Sequence, residues 1–116
     1  MRVTTDIWVS ALLRRVFGQG GFGAVVRRGG DSAGAVFILV RDRFGETVLF
    51  GPAPQSGYDQ ARPDERYFIE SLRAVDDEQV SARLDKESRF DPDLWVIEIE
   101  PSGSQAQEPL FPVIEP

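Results

Sequence analysis

The sequence predicts an α+β domain: an antiparallel β-meander sheet covered on one face by two helices, in the order α-β-β-β-β-α-β. Three observations carry this expectation. The apolar period is helical up to Phe17 and becomes two from Phe22 onward, across a joint of glycines. Short apolar runs bounded by Gly, Asp and Pro recur through residues 22–50, as in strands joined by tight turns. A second helix start, Asp76-Asp77-Glu78-Gln79, is followed by a further strand pattern.

Residues 7–17 read as the first helix. Val9, Leu12, Leu13 and Val16 fall at i, i+3, i+4 and i+7, with Ser10, Arg14 and Arg15 off that stripe. Thr5 or Asp6 is placed to cap its start, and Gly18 to take the left-handed conformation that ends it. Phe22, Ala24 and Val26 alternate with Gly23, Val25 and Arg27 in a first strand. Gly29-Gly30-Asp31-Ser32 is turn chemistry. Residues 35–40 are an unbroken apolar run, the pattern of a central strand covered on both faces. Asp42-Arg43-Phe44-Gly45 makes the next turn before a third strand at residues 47–50.

Residues 51–64 hold Pro52, Pro54, Gly57 and Pro63 and form a long loop, a common place for functional contacts. Residues 66–72 read as a fourth strand, with a short helix as the competing assignment. In the second helix Asp76 caps, Gln79 completes a capping box, and Val80 and Leu84 give a narrow apolar stripe. Asp91-Pro92-Asp93 ends it. In the last strand Trp95, Ile97 and Ile99 face one way and Val96, Glu98 and Glu100 the other, which predicts one wet face. Residues 1–101 thus form the domain, and residues 102–116 a tail rich in Pro, Ser and Gln.

Composition narrows the chemistry. The chain has no histidine and no cysteine. That excludes thiolate chemistry, the usual base near neutral pH and the commonest zinc ligands. Residues 18–25, Gly-Gln-Gly-Gly-Phe-Gly-Ala-Val, match a kinase phosphate loop. Yet the only lysine is Lys86, and the His-Arg-Asp and Asp-Phe-Gly segments that would complete such a site do not occur. A dinucleotide fingerprint needs strand, glycines, helix; here the order is reversed. The glycines therefore read as a helix-to-strand joint. Residues 1–50 carry seven Arg against four carboxylates, and residues 51–116 six basic against fifteen acidic groups, so +3 and −9 in a total of −6. This balance disfavours nonspecific nucleic-acid binding, which rests on phosphate neutralisation. No apolar run approaches the roughly 20 residues of a membrane span, and the N-terminus is unlike a secretory signal. A cytoplasmic protein is expected.

Several stretches are familiar together: Val9-Ser10-Ala11-Leu12-Leu13-Arg14-Arg15-Val16, Gly20-Gly21-Phe22 leading to Val26-Arg27-Arg28-Gly29, Ala33-Gly34-Ala35, and Asp91-Pro92-Asp93-Leu94-Trp95-Val96-Ile97-Glu98. From the first helix to the last strand the chain resembles the bacterial domain of unknown function family 1491. Where that family often has Asp after the Arg-Gly pair, this chain has Gly30. The resemblance implies an identity and no activity, cofactor or mechanism.

Two regions are candidate sites. Arg27, Arg28, Gly29 and Gly30 place two guanidiniums beside a flexible turn whose amides could cradle phosphate or carboxylate. Tyr58, in the long loop, is the further ligand candidate. The competing reading is a hairpin turn with solvated arginines. In the tail, Leu110, Phe111, Val113 and Ile114 are apolar enough to dock on the domain's own sheet edge or on a partner. Asp91 and Asp93 are too few to hold a hard cation and read as punctuation between helix and strand. No catalytic set, metal or cofactor is expected. The leading function is a noncatalytic protein-interaction or regulatory module, with a protein partner, homo-oligomers among the options, no membrane, and nucleic acid disfavoured. The alternative is a small anion- or ligand-binding protein or enzyme with a pocket on the Arg27-Arg28-Gly29 turn. An apolar patch or a symmetric sheet contact favours the first; a concave pocket lined by those arginines and Tyr58 favours the second.

Overall fold

The computed structural model describes residues 3–42, 45–54, 66–74, 76–101 and 110–114; Tyr58 lies outside them. The first helix, α1 (Thr5–Gly18), buries Trp8, Val9, Leu12 and Val16 on one stripe and leaves Ile7, Ser10 and Arg14 exposed. It begins at Thr5, with Thr4 as the N-cap. The Thr4 hydroxyl donates to Asp6 Oδ1 at 2.6 Å, so Thr5 is free to turn inward and is fully buried. The left-handed residue after the helix is Gly20 (φ 84°), not Gly18. Gln19 and Gly21 donate their amides to the Arg15 and Val16 carbonyls and tie off the helix end two residues further along.

The remaining elements follow in the expected order: β1 (Phe22–Arg27), β2 (Val36–Arg41), β3 (Thr47–Pro52), β4 (Phe68–Ala74), α2 (Asp77–Phe90) and β5 (Trp95–Glu100). Their arrangement in space corrects the expected one. The sheet order is β1-β5-β2-β3-β4, and the sheet is mixed. Strands β2, β3 and β4 do form an antiparallel meander. Strand β5 enters between β1 and β2, antiparallel to the first and parallel to the second. Burial explains the choice. Trp95, Val96, Ile97 and Ile99 are at most 2% exposed, so β5 is apolar on both faces and belongs at the centre. Strand β1, with Gly23 and Ala24, has too little apolar bulk for that place and is left at the edge.

The helices also do not share a face. Trp8, Val9, Leu12 and Val16 of α1 pack on Val36, Ile38, Phe68, Trp95, Ile97 and Ile99. Val80 of α2 packs in a second cluster with Phe37, Leu39, Leu49, Leu94 and Val96. Successive residues of β2 and β5 divide between the two clusters, so α1 covers one face and α2 the other. The reason is topological. Strands β4 and β5 run parallel, a parallel connection needs a crossover, and α2 is that crossover. Val96, expected on a wet face, is consequently buried. Only from Glu98 onward is that face polar, and there Arg41 donates to Glu98 Oε1 at 2.7 Å and to Asp77 Oδ1 at 2.9 Å. These two bonds, Glu98 foremost, raise the Arg41 pKa above its ordinary value.

The start of α2 is as expected: Asp76 Oδ1 accepts the Gln79 amide at 2.8 Å. Asp76→Ala is expected to cost about 1 kcal/mol, measured as a lowered unfolding midpoint with an unchanged folded-state spectrum. Among the described residues no helix is long and apolar enough to cross a membrane.

Residues 110–114 lie along the outer edge of β4. The Phe68 amide donates to Pro112 O at 2.9 Å, the Ile114 amide donates to Phe68 O at 2.8 Å, and Phe68 and Val113 form one parallel bridge. Arg15 donates to Leu110 O at 3.0 Å. Phe111 is buried edge-on against Phe50 and Phe68, with ring centres 5.3 and 5.2 Å away. Pro112 has no amide to offer, so it pairs through its carbonyl, and the segment makes one bridge among the described residues. Phe111→Ala is expected to cost about 3 kcal/mol and to speed hydrogen exchange at the Phe68 amide. Unchanged exchange there would mean that the segment does not hold β4 in solution.

Candidate functional site

The segment joining β1 to β2, residues 28–35, must pass over the beginning of β5, because that strand lies between them. The passage is close. The Gly30 amide donates to Asp93 O at 3.0 Å and the Trp95 amide to Ala35 O at 2.8 Å. Trp95 Nε1–H donates to Gly30 O at 2.8 Å. Asp91 works from below, accepting the Ala35 amide on Oδ2 at 2.8 Å and the Asp93 amide on Oδ1 at 3.0 Å. The Arg-Arg-Gly and Asp-Pro-Asp-Leu-Trp blocks, far apart in sequence, are thus two halves of one clasp.

Arg27, Arg28 and Gly29 are brought together there, each with a bonding or packing role in the clasp. Arg27 donates to Pro92 O at 3.1 Å. The Arg28 guanidinium lies over the Trp95 ring, 4.9 Å from its centre, and pairs with Asp31 at 2.6 Å. Gly29 backs directly onto the Asp93 and Leu94 carbonyls. The glycine joint before β1 is equally occupied: the Gly20 and Gly21 amides donate to Phe17 and Val16 carbonyls. Gly21 and Gly23 sit against the Glu100 carbonyl and the Leu13 side chain. Leu110, Phe111, Val113 and Ile114 lie at β4, the opposite edge of the sheet.

Sequence reasoning passed over Arg66, which donates to Thr5 Oγ1 at 2.7 Å and stands 5.8 Å from the Trp8 ring centre. With Val3, Thr4, Ser32, Ala33 and Gly34 it lines an open cavity of about 370 Å³. Nothing in the local pattern singles out an arginine at a loop end, since its partners come from α1 and the clasp segment. Beside the cavity, the Thr4 hydroxyl holds the Asp6 carboxyl below the ordinary carboxylate range, and the Ile7 amide adds to it. Among the described residues no group of three or more acidic side chains is arranged to hold a metal ion.

The other feature that stands out is the outer edge of β1. Phe22, Val25 and Val26 are 54%, 41% and 59% exposed. Phe17 of α1, also exposed, meets Phe22 edge-on at 6.0 Å. Among the described residues strand β1 pairs only with β5, so its outer amides and carbonyls face away from the sheet. The two sheet edges differ: one is lined by the chain's own residues 110–114, while the other is apolar and has no neighbour among the described residues.

A family model described as "Protein of unknown function (DUF1491)" matches residues 3–109. No curated protein matches the chain. Among solved structures, the chain is similar to the solution structure of protein Atu0922 from A. tumefaciens: 43% identity, 100% of this chain and 98% of that one covered, TM-score 0.80. It is also similar to the crystal structure of a DUF1491 family protein from Caulobacter crescentus CB15, at 34% identity over 96% of this chain and 98% of that one, TM-score 0.72. An NMR structure of a DUF1491 family protein from the same organism gives 35% identity, 97% of each chain and 0.73.

Proposed function

The chain belongs to the DUF1491 family, and we propose that it is a noncatalytic protein-interaction module whose contact surface is the outer edge of β1. One observation carries this reading: a strand edge, unpaired among the described residues, with exposed Phe22, Val25 and Val26, flanked by Phe17. Proteins usually blunt such edges with charge, proline or a covering segment. Here the first five residues of β1 carry no charge, and the bulge between Val25 and Arg27, itself an edge-blunting device, lies at the strand's end and leaves Phe22 to Val25 as a regular edge. An edge of this kind binds by adding a strand, with main-chain hydrogen bonds for affinity and side-chain contacts for selectivity. A cytoplasmic setting suits a chain without cysteine.

The alternative, an anion pocket on Arg27, Arg28 and Gly29, has less behind it. Both guanidiniums and the glycine already have work in the clasp. A photo-crosslinking residue placed at Val25 in living cells tests the proposal. A discrete adduct is expected at Val25 and none at Phe90, which is 80% exposed on α2. Equal, diffuse labelling at the two positions would remove the case for a contact surface on β1.

A further inference from the structure

A second surface, independent of the β1 edge, is seen with an occupant in place. We infer that the groove between α1 and the start of β4 is a peptide-binding site filled from within the chain by residues 110–114. Its external ligand is an extended segment of another protein that carries an aromatic anchor. The pocket for that anchor is built without the segment. Trp8 comes from α1, Phe50 from β3 and Phe68 from β4, and the Trp8 and Phe68 rings lie 5.5 Å apart. Phe111 enters edge-on against Phe50 and Phe68 and is buried there. A buried aromatic in such a pocket is a common centre of binding energy.

The occupant is held as a ligand would be, through the main chain of one residue. Phe68 donates its amide to Pro112 O at 2.9 Å and accepts the Ile114 amide at 2.8 Å, the arrangement by which an extended peptide adds to a sheet. Strands β1 to β5 pair with their neighbours along most of their length. Among the described residues the segment pairs at Phe68 alone. Phe111 is its one buried side chain; Leu110, Pro112 and Ile114 are partly buried and Val113 is half exposed. Such an attachment opens more easily than the sheet beneath it.

The seated segment also defines what the groove accepts. The residue before the aromatic anchor offers its carbonyl to Arg15, at 3.0 Å. The residue after it offers a carbonyl and needs no amide, so proline is accepted there and stiffens the unbound peptide. The next side chain is half exposed and free to vary. The one after that must keep its amide for Phe68 O, so proline is excluded. The pattern is aromatic, proline, any residue, aliphatic, with affinity in the main chain and selectivity in the ring pocket. An external segment must displace the internal one, which makes residues 110–114 an autoinhibitory strap.

A fluorescent peptide of residues 109–116, added to the full chain and followed by anisotropy, tests this. It is expected to bind the Phe111→Ala chain at least about tenfold more tightly than the wild type, where the internal segment competes at millimolar effective concentration. Bound peptide should return the Phe68 amide of that variant to its wild-type exchange rate. Within the peptide, Phe111→Ala should abolish binding. Ile114→Pro should weaken it about tenfold or more, and Val113→Ser should change it less than about threefold. Equal binding to the two chains overturns the inference, as does no binding to a folded Phe111→Ala chain at about millimolar peptide. So does an Ile114→Pro peptide as strong as the parent. Hydrogen exchange on the wild type serves if the variant does not fold. The Phe68 and Ile114 amides should exchange about a hundredfold faster than those of Leu39 and Ile97 in the central strands. Equal rates would mean that the segment leaves only when the whole chain unfolds, and the inference fails. Sedimentation equilibrium decides between occupants. The wild type is expected at its single-chain mass of 12.9 kDa. A dimer that Phe111→Ala dissolves would show the segment exchanged between copies and overturn the assignment to a different protein.

Discussion

Trp95→Ala is expected to lower stability by about 3–5 kcal/mol, the range for deleting a large buried aromatic. Trp95 is 1% exposed and belongs to the cluster beneath α1, so truncation opens a cavity against Ile38, Ile97 and the helix. It also removes the indole N–H that satisfies Gly30 O, and takes away the ring on which Arg28 rests. Trp95→Phe separates the contributions. It retains much of the volume but loses the hydrogen bond, whose absence alone is worth about 1 kcal/mol when the carbonyl finds water and more if it stays buried. Urea unfolding monitored by circular dichroism gives both values, with an unchanged m-value required for the comparison. If Trp95→Ala costs less than about 1 kcal/mol, the clasp does not depend on the indole.

The same tryptophan shows how far the sequence could be read. Trp95 in an alternating strand is recognisable as a core anchor, and the change of period at Phe22 and the cap at Asp76 locate elements correctly, because each is a local signal. Strand neighbours are not local. Residues 22–50 contain turn chemistry at Gly29-Gly30 that resembles a hairpin, and nothing within that segment announces a strand arriving from residue 95. One signal did bear on the layering. Residues 35–40 are apolar at every position, which means two covered faces, and helices gathered on one face cannot supply both. Given its full weight, that run argues for α1 and α2 on opposite sides.

The candidate site was legible in pieces. The pairing of guanidiniums with a glycine turn is visible in sequence, but the groups that engage them, Pro92 O, Asp31 and the Trp95 ring, are a matter of topology. The apolar character of residues 110–114 was equally visible, and the parallel bridge to Phe68 was not. The apolar edge of β1 was hidden for the opposite reason. Phe22, Val25 and Val26 look like core residues to any reading based on hydrophobicity, and only the sheet order leaves them outside.

Gly29→Ala tests the clasp from its other side and is expected to cost about 2–5 kcal/mol net, from the loss of two hydrogen bonds worth about 1 kcal/mol each and about 1–3 kcal/mol of forced rearrangement, less the unfolded-state entropy that favours alanine. A Cβ at Gly29 would lie 2.6 Å from Leu94 O and 2.7 Å from the Asp93 carbonyl carbon, with Asp93 O closer still. All three are backbone atoms, so no side chain can rotate away. Relief requires the segment after β1 to lift off the start of β5. That movement stretches the bonds from the Gly30 amide to Asp93 O and from Trp95 Nε1 to Gly30 O. Against it stands only the reduced entropy of the unfolded chain, about 0.4–1 kcal/mol in favour of alanine. Gly18→Ala isolates that entropic effect. Gly18 ends α1, has no atom within 4 Å of an added Cβ, and should become more stable by up to about 1 kcal/mol. The two variants make the same chemical change and should move the unfolding midpoint in opposite directions. A Gly29→Ala protein as stable as Gly18→Ala would show that the segment rides loosely over β5.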